Sequence, residues 1–258
     1  MAVTAHHDTD GAAHDERPAS EVRASEPAQP HLPFIEAAGE AIAEAEIERK
    51  PSWRGWIHAV TAPLALAAGI VLVVLADGAV ATWSSAVFAL SSLLLFGISA
   101  VYHRFHWRER TRAVLKRLDH ANIFVLIAGT YTPIALLTLT SPTDWILLTV
   151  IWSGALLGIA FRVFWLGAPR WLYVPIYLAL GWAAVAFLGQ IWAANAATAI
   201  LVVVGGLAYS AGAVIYGLKR PNPFPGHFGF HEIFHVCTVI AFLCHWTGIL
   251  LVALDPPA

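Results

Sequence analysis

Charged side chains are scarce in this sequence. Asp, Glu, Lys and Arg make up 12% of its 258 residues, whereas a soluble globular domain carries about 25%. Hydrophobic residues reach 58%. This composition excludes an ordinary soluble domain and predicts an integral protein that crosses a membrane several times.

Cysteine is also nearly absent. The two cysteines, Cys237 and Cys244, lie seven positions apart in the last apolar stretch. Because two residues at this spacing on one helix cannot be bridged, the sequence implies no disulfide framework.

The acids are concentrated in residues 1–50, which hold eleven of the seventeen acids and four of the fifteen bases. No basic start followed by an apolar core occurs there, so we expect no signal peptide. We predict an acidic, disordered cytoplasmic tail, with a short surface helix within residues 34–50. Residues 51–258 then form the transmembrane domain.

From Ile57 onward the chain divides into seven apolar segments of near 20 residues, the length that spans about 30 Å of hydrocarbon. Backbone groups in lipid must pair internally, so each segment is predicted to be a helix. The fold class is therefore an all-α, seven-helix transmembrane bundle. The predicted segments are 57–76, 81–102, 119–139, 144–165, 171–190, 195–217 and 229–253.

Lys and Arg are absent from alternate loops. Loops 77–80, 140–143 and 191–194 and the C-terminus contain neither residue, whereas residues 104–117 alone contain six. Since Lys and Arg are retained on the cytoplasmic side, the sequence predicts a cytoplasmic N-terminus and an external C-terminus.

The seventh segment opens with the motif H-E-x-x-H, from His231 to His235. On a helix these two imidazoles lie on one face, about 6 Å apart along the axis, and this spacing is typical of zinc ligands. A metalloprotease with this motif usually takes its third ligand from downstream. Residues 236–258 offer no well-placed ligand, so we disfavour a protease.

Three other polar residues fall at the same predicted depth. His103 ends the second segment, Asp119 begins the third, and Ser99 lies one helical turn deeper than His103. Lys and Arg alone predict the orientation, so this agreement is independent evidence for one site at the cytoplasmic face.

Together, these residue types suit a catalytic metal site. Three imidazoles with an open fourth position form a catalytic zinc site, and zinc lowers the pKa of a bound water to about 7. Asp119 could hold that water and take its proton, while Ser99 could donate to an oxyanion on a substrate carbonyl. We predict zinc as the cofactor, with metal ligands at His103, His231 and His235.

Four motifs, in this order, resemble the hemolysin III branch of the progestin and adipoQ receptor family. They are Ser99-Ala-Val-Tyr-His103, Asp119-His120-Ala-Asn-Ile123, Gly129-Thr-Tyr-Thr-Pro133 and His231-Glu-Ile-Phe-His235. The resemblance covers about residues 53–253. It implies seven helices, zinc held near the cytoplasmic face by the three histidines, Asp119 on the zinc water, and Ser99 beside it.

One stretch departs from the family pattern. Members usually carry an acidic residue and an Asn shortly before a histidine at the start of the first helix. Here only the histidine, His58, remains, and whether it touches the site stays open. Relatives of the adiponectin-receptor type have Gln at the position of Glu232. For Glu232 we therefore favour a hydrogen bond that supports a metal ligand, or one that joins two helices, over a role as general base.

The resemblance also bears on function. Eukaryotic members look like ceramidases, which hydrolyse a lipid amide, and bacterial members are linked to membrane energetics or lipid homeostasis. We expect a zinc-dependent hydrolase of a lipid amide or ester, with a membrane lipid as substrate, the bilayer as its surroundings and no nucleic-acid partner.

Two alternatives stay open. A receptor-like sensor of the membrane state would hold structural zinc, closed by a fourth ligand such as Asp119. A pore-forming cytolysin, which the family's historical name suggests, would need a polar stripe through several helices, whereas polar residues here gather at one end.

Four further residues complete the predictions. Arg162 is expected to extend to the membrane surface and His245 to make a buried hydrogen bond far from the zinc. Pro133 and Pro175 are expected to kink their helices.

Overall fold

The structure, a computed structural model, describes residues 51–257. The predicted tail and surface helix within residues 1–50 lie outside the described residues. The described chain folds into helices joined by short connections. In chain order these are α1 (Trp56–Leu75), α2 (Ala79–Arg104), α3 (Glu109–Thr138), α4 (Thr143–Phe164), α5 (Arg170–Gly181), a 3₁₀ turn (Ala183–Phe187), α6 (Leu188–Ala194), α7 (Ala196–Leu218) and α8 (Phe230–Leu254).

Seven helical segments within residues 51–257 are long and apolar enough to cross a membrane, which confirms the predicted number. The fifth of these spans comprises α5, the 3₁₀ turn and α6. Large apolar side chains on the outer faces are exposed, among them Val74 and Leu157 at 73% each. These faces suit contact with lipid, because a helix in hydrocarbon needs no polar outer face.

The start of α3 was predicted too late. The helix begins at Glu109 rather than at residue 119. Its first ten residues are rich in Arg and Lys, which are good helix formers. Hydrophobic length marks only the part of a helix that lies in hydrocarbon, so it does not show how far the helix continues into the interface.

The fifth span is interrupted after Gly181, whereas α5 continues as a helix through Pro175. The Tyr131 hydroxyl of α3 donates to the Gly181 carbonyl at 2.8 Å, and the Ala184 amide donates to the same hydroxyl at 2.7 Å. An interruption is tolerated at membrane depth where other protein groups pair the freed backbone. Tyr131 supplies that pairing.

Neighbouring helices approach closely at small residues. Gly129 of α3 faces Ser91 of α2, and a Cβ atom on the glycine would lie 2.6 Å from the Ser91 Cβ. Gly212 of α7 faces Cys237 of α8, with a corresponding distance of 2.8 Å. Such contacts are typical of membrane helices. Among the described spans, α3 is the most enclosed.

Helices α1, α3 and α8 begin at the same end of the bundle, and α2 and α4 finish there. Side-chain contacts between these helix ends establish the arrangement. We call it the basic end, because it carries most of the Arg and Lys residues of the described chain.

Candidate metal centre

Three histidines converge at the basic end. His103 lies in the last turn of α2, while His231 and His235 lie in the first two turns of α8. One nitrogen from each ring falls within 4.8 Å of the others. The Nε2 atoms of His103 and His231 are 3.3 Å apart. This cluster can hold a metal ion.

The spacing suits tetrahedral ligation. Metal–nitrogen distances of about 2.0–2.1 Å at a tetrahedral angle place two ligand nitrogens about 3.3 Å apart. The Nε2 atoms of His103 and His231 already stand at that separation, and a nitrogen of His235 lies within 4.8 Å of both. His103 and His235 are 8% and 3% exposed, so the protein already shields most of the donor set from water.

Asp119 and Ser99 stand beside the histidines. The Asp119 Oδ2 atom is 3.6 Å from the His103 Nε2, and the Asp119 side chain is 15% exposed. Ser99 is buried in α2, one turn before His103. Both residues line the same cavity as His231 and His235. The structure thus brings together all five residues that the sequence proposes for the site.

Glu232 points away from the cluster, and both of its carboxylate oxygens are engaged. Arg54 donates from Nε to Oε1 at 2.7 Å, and the Gly229 amide donates to Oε2 at 2.9 Å. The side chain is 1% exposed. Glu232 is hydrogen-bonded, as expected, but its partners lie in the segment that precedes α1 and at the start of α8 itself, so the bonds do not join two helices.

His58 contacts the cluster through its ring face. Its ring stacks on that of His235 with centroids 3.8 Å apart and planes 12° from parallel. A ligand nitrogen binds an ion near its own ring plane, so two parallel rings at this separation cannot share one ion. His58 is 2% exposed, and neither ring nitrogen has a hydrogen-bond partner among the described residues.

Arg162 does not reach the membrane surface, so that expectation was wrong. It is 1% exposed at the inner side of α4. Its Nη2 lies 3.1 Å from the Nδ1 of His120, and its guanidinium lies 4.3 Å above the Tyr173 ring. An unprotonated ring nitrogen and an aromatic face are partners a buried cation can use. A charged residue within an apolar segment was the available signal for this cluster.

A cavity extends from the histidines into the bundle. It measures about 1450 Å³, including the part that opens to the outside. Along α3 its wall runs from Asp119 to Ile134, a rise of about 22 Å at 1.5 Å per residue. The wall is mostly aliphatic and aromatic, as at Ile127 and Phe234. A single apolar chain could lie along it with its polar group at the histidines.

His245 lines this cavity far from the metal ligands. Its Nε2 donates to the Val202 carbonyl of α7 at 3.2 Å, which confirms the predicted buried hydrogen bond. Gly205 permits the approach, because a Cβ atom there would overlap the His245 ring.

Comparison with known proteins gives consistent matches. The family model described as haemolysin-III related matches residues 47–246. The hemolysin-3 homolog of Bacillus subtilis (strain 168) is 33% identical over 182 residues, which is 69% of this chain and 82% of the relative. Hemolysin-3 of Bacillus cereus is 32% identical over 183 residues, or 69% of this chain and 80% of the relative.

A shorter match links the chain to the wider superfamily. The ADIPOR-like receptor IZH2 of Saccharomyces cerevisiae is 44% identical over 54 residues, covering 19% of this chain and 17% of the relative. The chain belongs to the hemolysin III family, within the progestin and adipoQ receptor superfamily, and is a multi-pass protein of the cell membrane.

Proposed function

We propose that this protein is a zinc-dependent hydrolase of a lipid amide or ester, with its centre at the cytoplasmic face of the membrane. One observation carries the proposal. Three imidazole donors, a carboxylate and a hydroxyl meet where a long, mostly apolar cavity reaches the basic end.

The charge distribution supports the orientation. Residues 104–117 at the basic end contain six Arg and Lys residues. The connections at the opposite end, residues 76–78 and 139–142, contain none. Positively charged loops remain in the cytoplasm, so the N-terminus is cytoplasmic, the C-terminus is external, and the histidine cluster faces the cytoplasm.

The donor set favours zinc. Neutral imidazoles suit this ion, and a three-histidine set leaves one position open. His103, His231 and His235 would hold it. When bound, zinc would supply a Lewis acid and a water of lowered pKa.

Asp119 and Ser99 have separate tasks in the proposed reaction. Asp119 takes the proton of the water whose oxygen attacks the carbonyl carbon. Ser99 donates a hydrogen bond to the carbonyl oxygen as its charge grows. When the bond to the amide nitrogen or ester oxygen breaks, Asp119 returns the proton to the leaving group.

The cavity positions the substrate. Its apolar wall takes up the acyl chain, and burial of that chain fixes the carbonyl beside Asp119 and Ser99. The same burial limits water at the carbonyl, which strengthens the hydrogen bonds of both residues. A membrane lipid is therefore the fitting substrate class.

Metal analysis and lipid turnover test this function together. Purified protein should hold about one zinc ion per chain, and His235→Ala should lose both the zinc and the turnover. The assay incubates zinc-loaded protein with a panel of lipid amides and esters and measures release of fatty acid. Zinc-loaded protein that hydrolyses no member of a broad panel would refute the proposal.

The position of Asp119 favours a second candidate function. Because its Oδ2 lies 3.6 Å from the His103 Nε2, the carboxylate can also serve as a fourth ligand. Zinc would then be structural, and the protein would be a receptor-like sensor of the membrane state. X-ray absorption of the zinc protein separates the two, since four protein ligands indicate the sensor and three with a water indicate the hydrolase.

A further inference from the structure

The segment that precedes α1 pairs with the loop that leads into α8. The Ser52 amide donates to the Gly226 carbonyl at 3.2 Å, and the Trp53 amide donates to the His227 carbonyl at 3.3 Å. The Ser52 hydroxyl lies 2.9 Å from the His227 Nδ1. Two distant parts of the chain are thereby joined beside the histidine cluster.

The next residue makes a charged contact with α8 itself. The Arg54 Nε donates to the Glu232 Oε1 at 2.7 Å, and Glu232 is 1% exposed. The other oxygen of Glu232 accepts from the Gly229 amide at the start of the helix. Charge-assisted hydrogen bonds of this length are among the strong ones, and screening is weak for a buried carboxylate.

The same segment also rests on the end of α2. Gly55 adopts a φ of +82°, and a Cβ atom there would lie 2.9 Å from the Arg104 amide nitrogen and 3.0 Å from the His103 Cβ. The Arg104 guanidinium lies 4.4 Å above the ring of Trp56. Only glycine allows this backbone conformation and this close approach at once.

The relative position of α2 and α8 needs such a support. The two helices share only a short contact, whereas α1 packs along α2 and also touches α8. One metal ligand lies on α2 and two lie on α8. The separation of the donors therefore depends on what holds the two helix ends together.

We propose that Arg54 is a positioning residue for the metal centre. Its ion pair with Glu232, formed while Gly55 rests against His103, fixes α8 relative to α2 and sets the distance between the histidine donors. This inference rests on the proposed metal centre. It also assigns Glu232, the glutamate of the H-E-x-x-H motif, to the support of the ligands and not to proton transfer.

The test compares metal binding in Arg54→Met with that in the parent protein. Zinc affinity is measured by competition with a chelator, the absorption spectrum of the cobalt-substituted protein reports ligand geometry, and melting of the metal-free protein reports the fold. Loss of an outer contact to a metal ligand lowers affinity about 10–100-fold. We expect a decrease of this size and an altered cobalt spectrum. The melting temperature of the metal-free variant should also fall, because Glu232 is left buried without its cation.

Two variants complete the design. Arg110→Gln removes an exposed arginine at the same end of the bundle and should leave affinity and spectrum unchanged. Arg54→Lys keeps the charge and should recover part of the affinity. The proposal is overturned if Arg54→Met binds zinc as tightly as the parent and gives the same cobalt spectrum.

If Arg54→Met does not fold, Glu232→Gln tests whether the Arg54–Glu232 ion pair positions the metal ligands. Glutamine carries no charge and has one acceptor oxygen where the carboxylate has two, so it can accept from Arg54 or from the Gly229 amide but not from both. Zinc affinity should therefore fall several-fold while lipid turnover of the zinc-loaded variant persists. Unchanged affinity and spectrum overturn the proposal, and so does abolished turnover at full zinc occupancy. A parent protein that binds neither metal overturns the metal centre itself, and the positioning role with it.

Discussion

Replacing His58 by phenylalanine tests the contribution of its ring face apart from that of its ring nitrogens. The face stacks on His235 at 3.8 Å and meets the edge of Phe96 at 5.1 Å. The nitrogens are out of reach of solvent and have no hydrogen-bond partner among the described residues. Phenylalanine keeps the stacking face and removes both nitrogens.

The expected change in the free energy of unfolding follows from the two unpaired ring nitrogens of His58. A neutral imidazole carries one N–H donor and one acceptor nitrogen, and each costs about 1–3 kcal/mol when buried and unpaired. Phenylalanine removes both, while its larger ring costs about 1–3 kcal/mol of overpacking. We expect a net gain in the free energy of unfolding on the order of 1–3 kcal/mol, together with unchanged zinc affinity.

Thermal melting in detergent measures the first effect. The half-buried Cys237 and Cys244 are free thiols, so a thiol-reactive fluorogenic dye reports unfolding. His58→Phe should raise the melting temperature by several degrees. His58→Ala, which removes the stacking face, should weaken zinc binding about 10–100-fold. The reasoning fails if His58→Phe melts below the parent or binds zinc as weakly as His58→Ala.

Two further substitutions test the packing around the cavity. Gly205→Ala should lower the free energy of unfolding by about 1–3 kcal/mol, because the added methyl group overlaps the His245 ring. Gly189→Ala, which meets nothing within 4 Å, is the matched control, and equal melting of the two variants would contradict the packing argument. Tyr131→Phe leaves the Ala184 amide without its acceptor and should cost about 1–3 kcal/mol. Hydrogen exchange in the 3₁₀ turn should then accelerate, and unchanged protection there would show that another group pairs this amide.

The sequence predicts the depth of residues well, because depth follows from apolar length and loop charge. The sequence alone assigns His103, Asp119 and His231 to one level, and the structure places them together. The number of spans is predictable for the same reason. Each span must bury its own backbone in hydrocarbon of fixed thickness.

The direction in which a side chain points around its helix axis is not predicted by apolar length and loop charge. The stacking of His58 on His235, the pairing of Arg54 with Glu232 and the burial of Arg162 all depend on how helices face one another. That orientation is set by side-chain packing between helices, which hydropathy and charge along a single chain do not report. For the same reason, the sequence does not predict the cavity.

The division of the histidines between α2 and α8 has a consequence for biosynthesis. His103 and His231 are separated by 128 positions, and α8 is the last of the described helices to leave the ribosome. Because chains emerge N-terminus first, the three donors meet only after α8 has entered the membrane. At the proposed centre, a metal ion held by all three histidines would therefore mark molecules in which α8 is inserted.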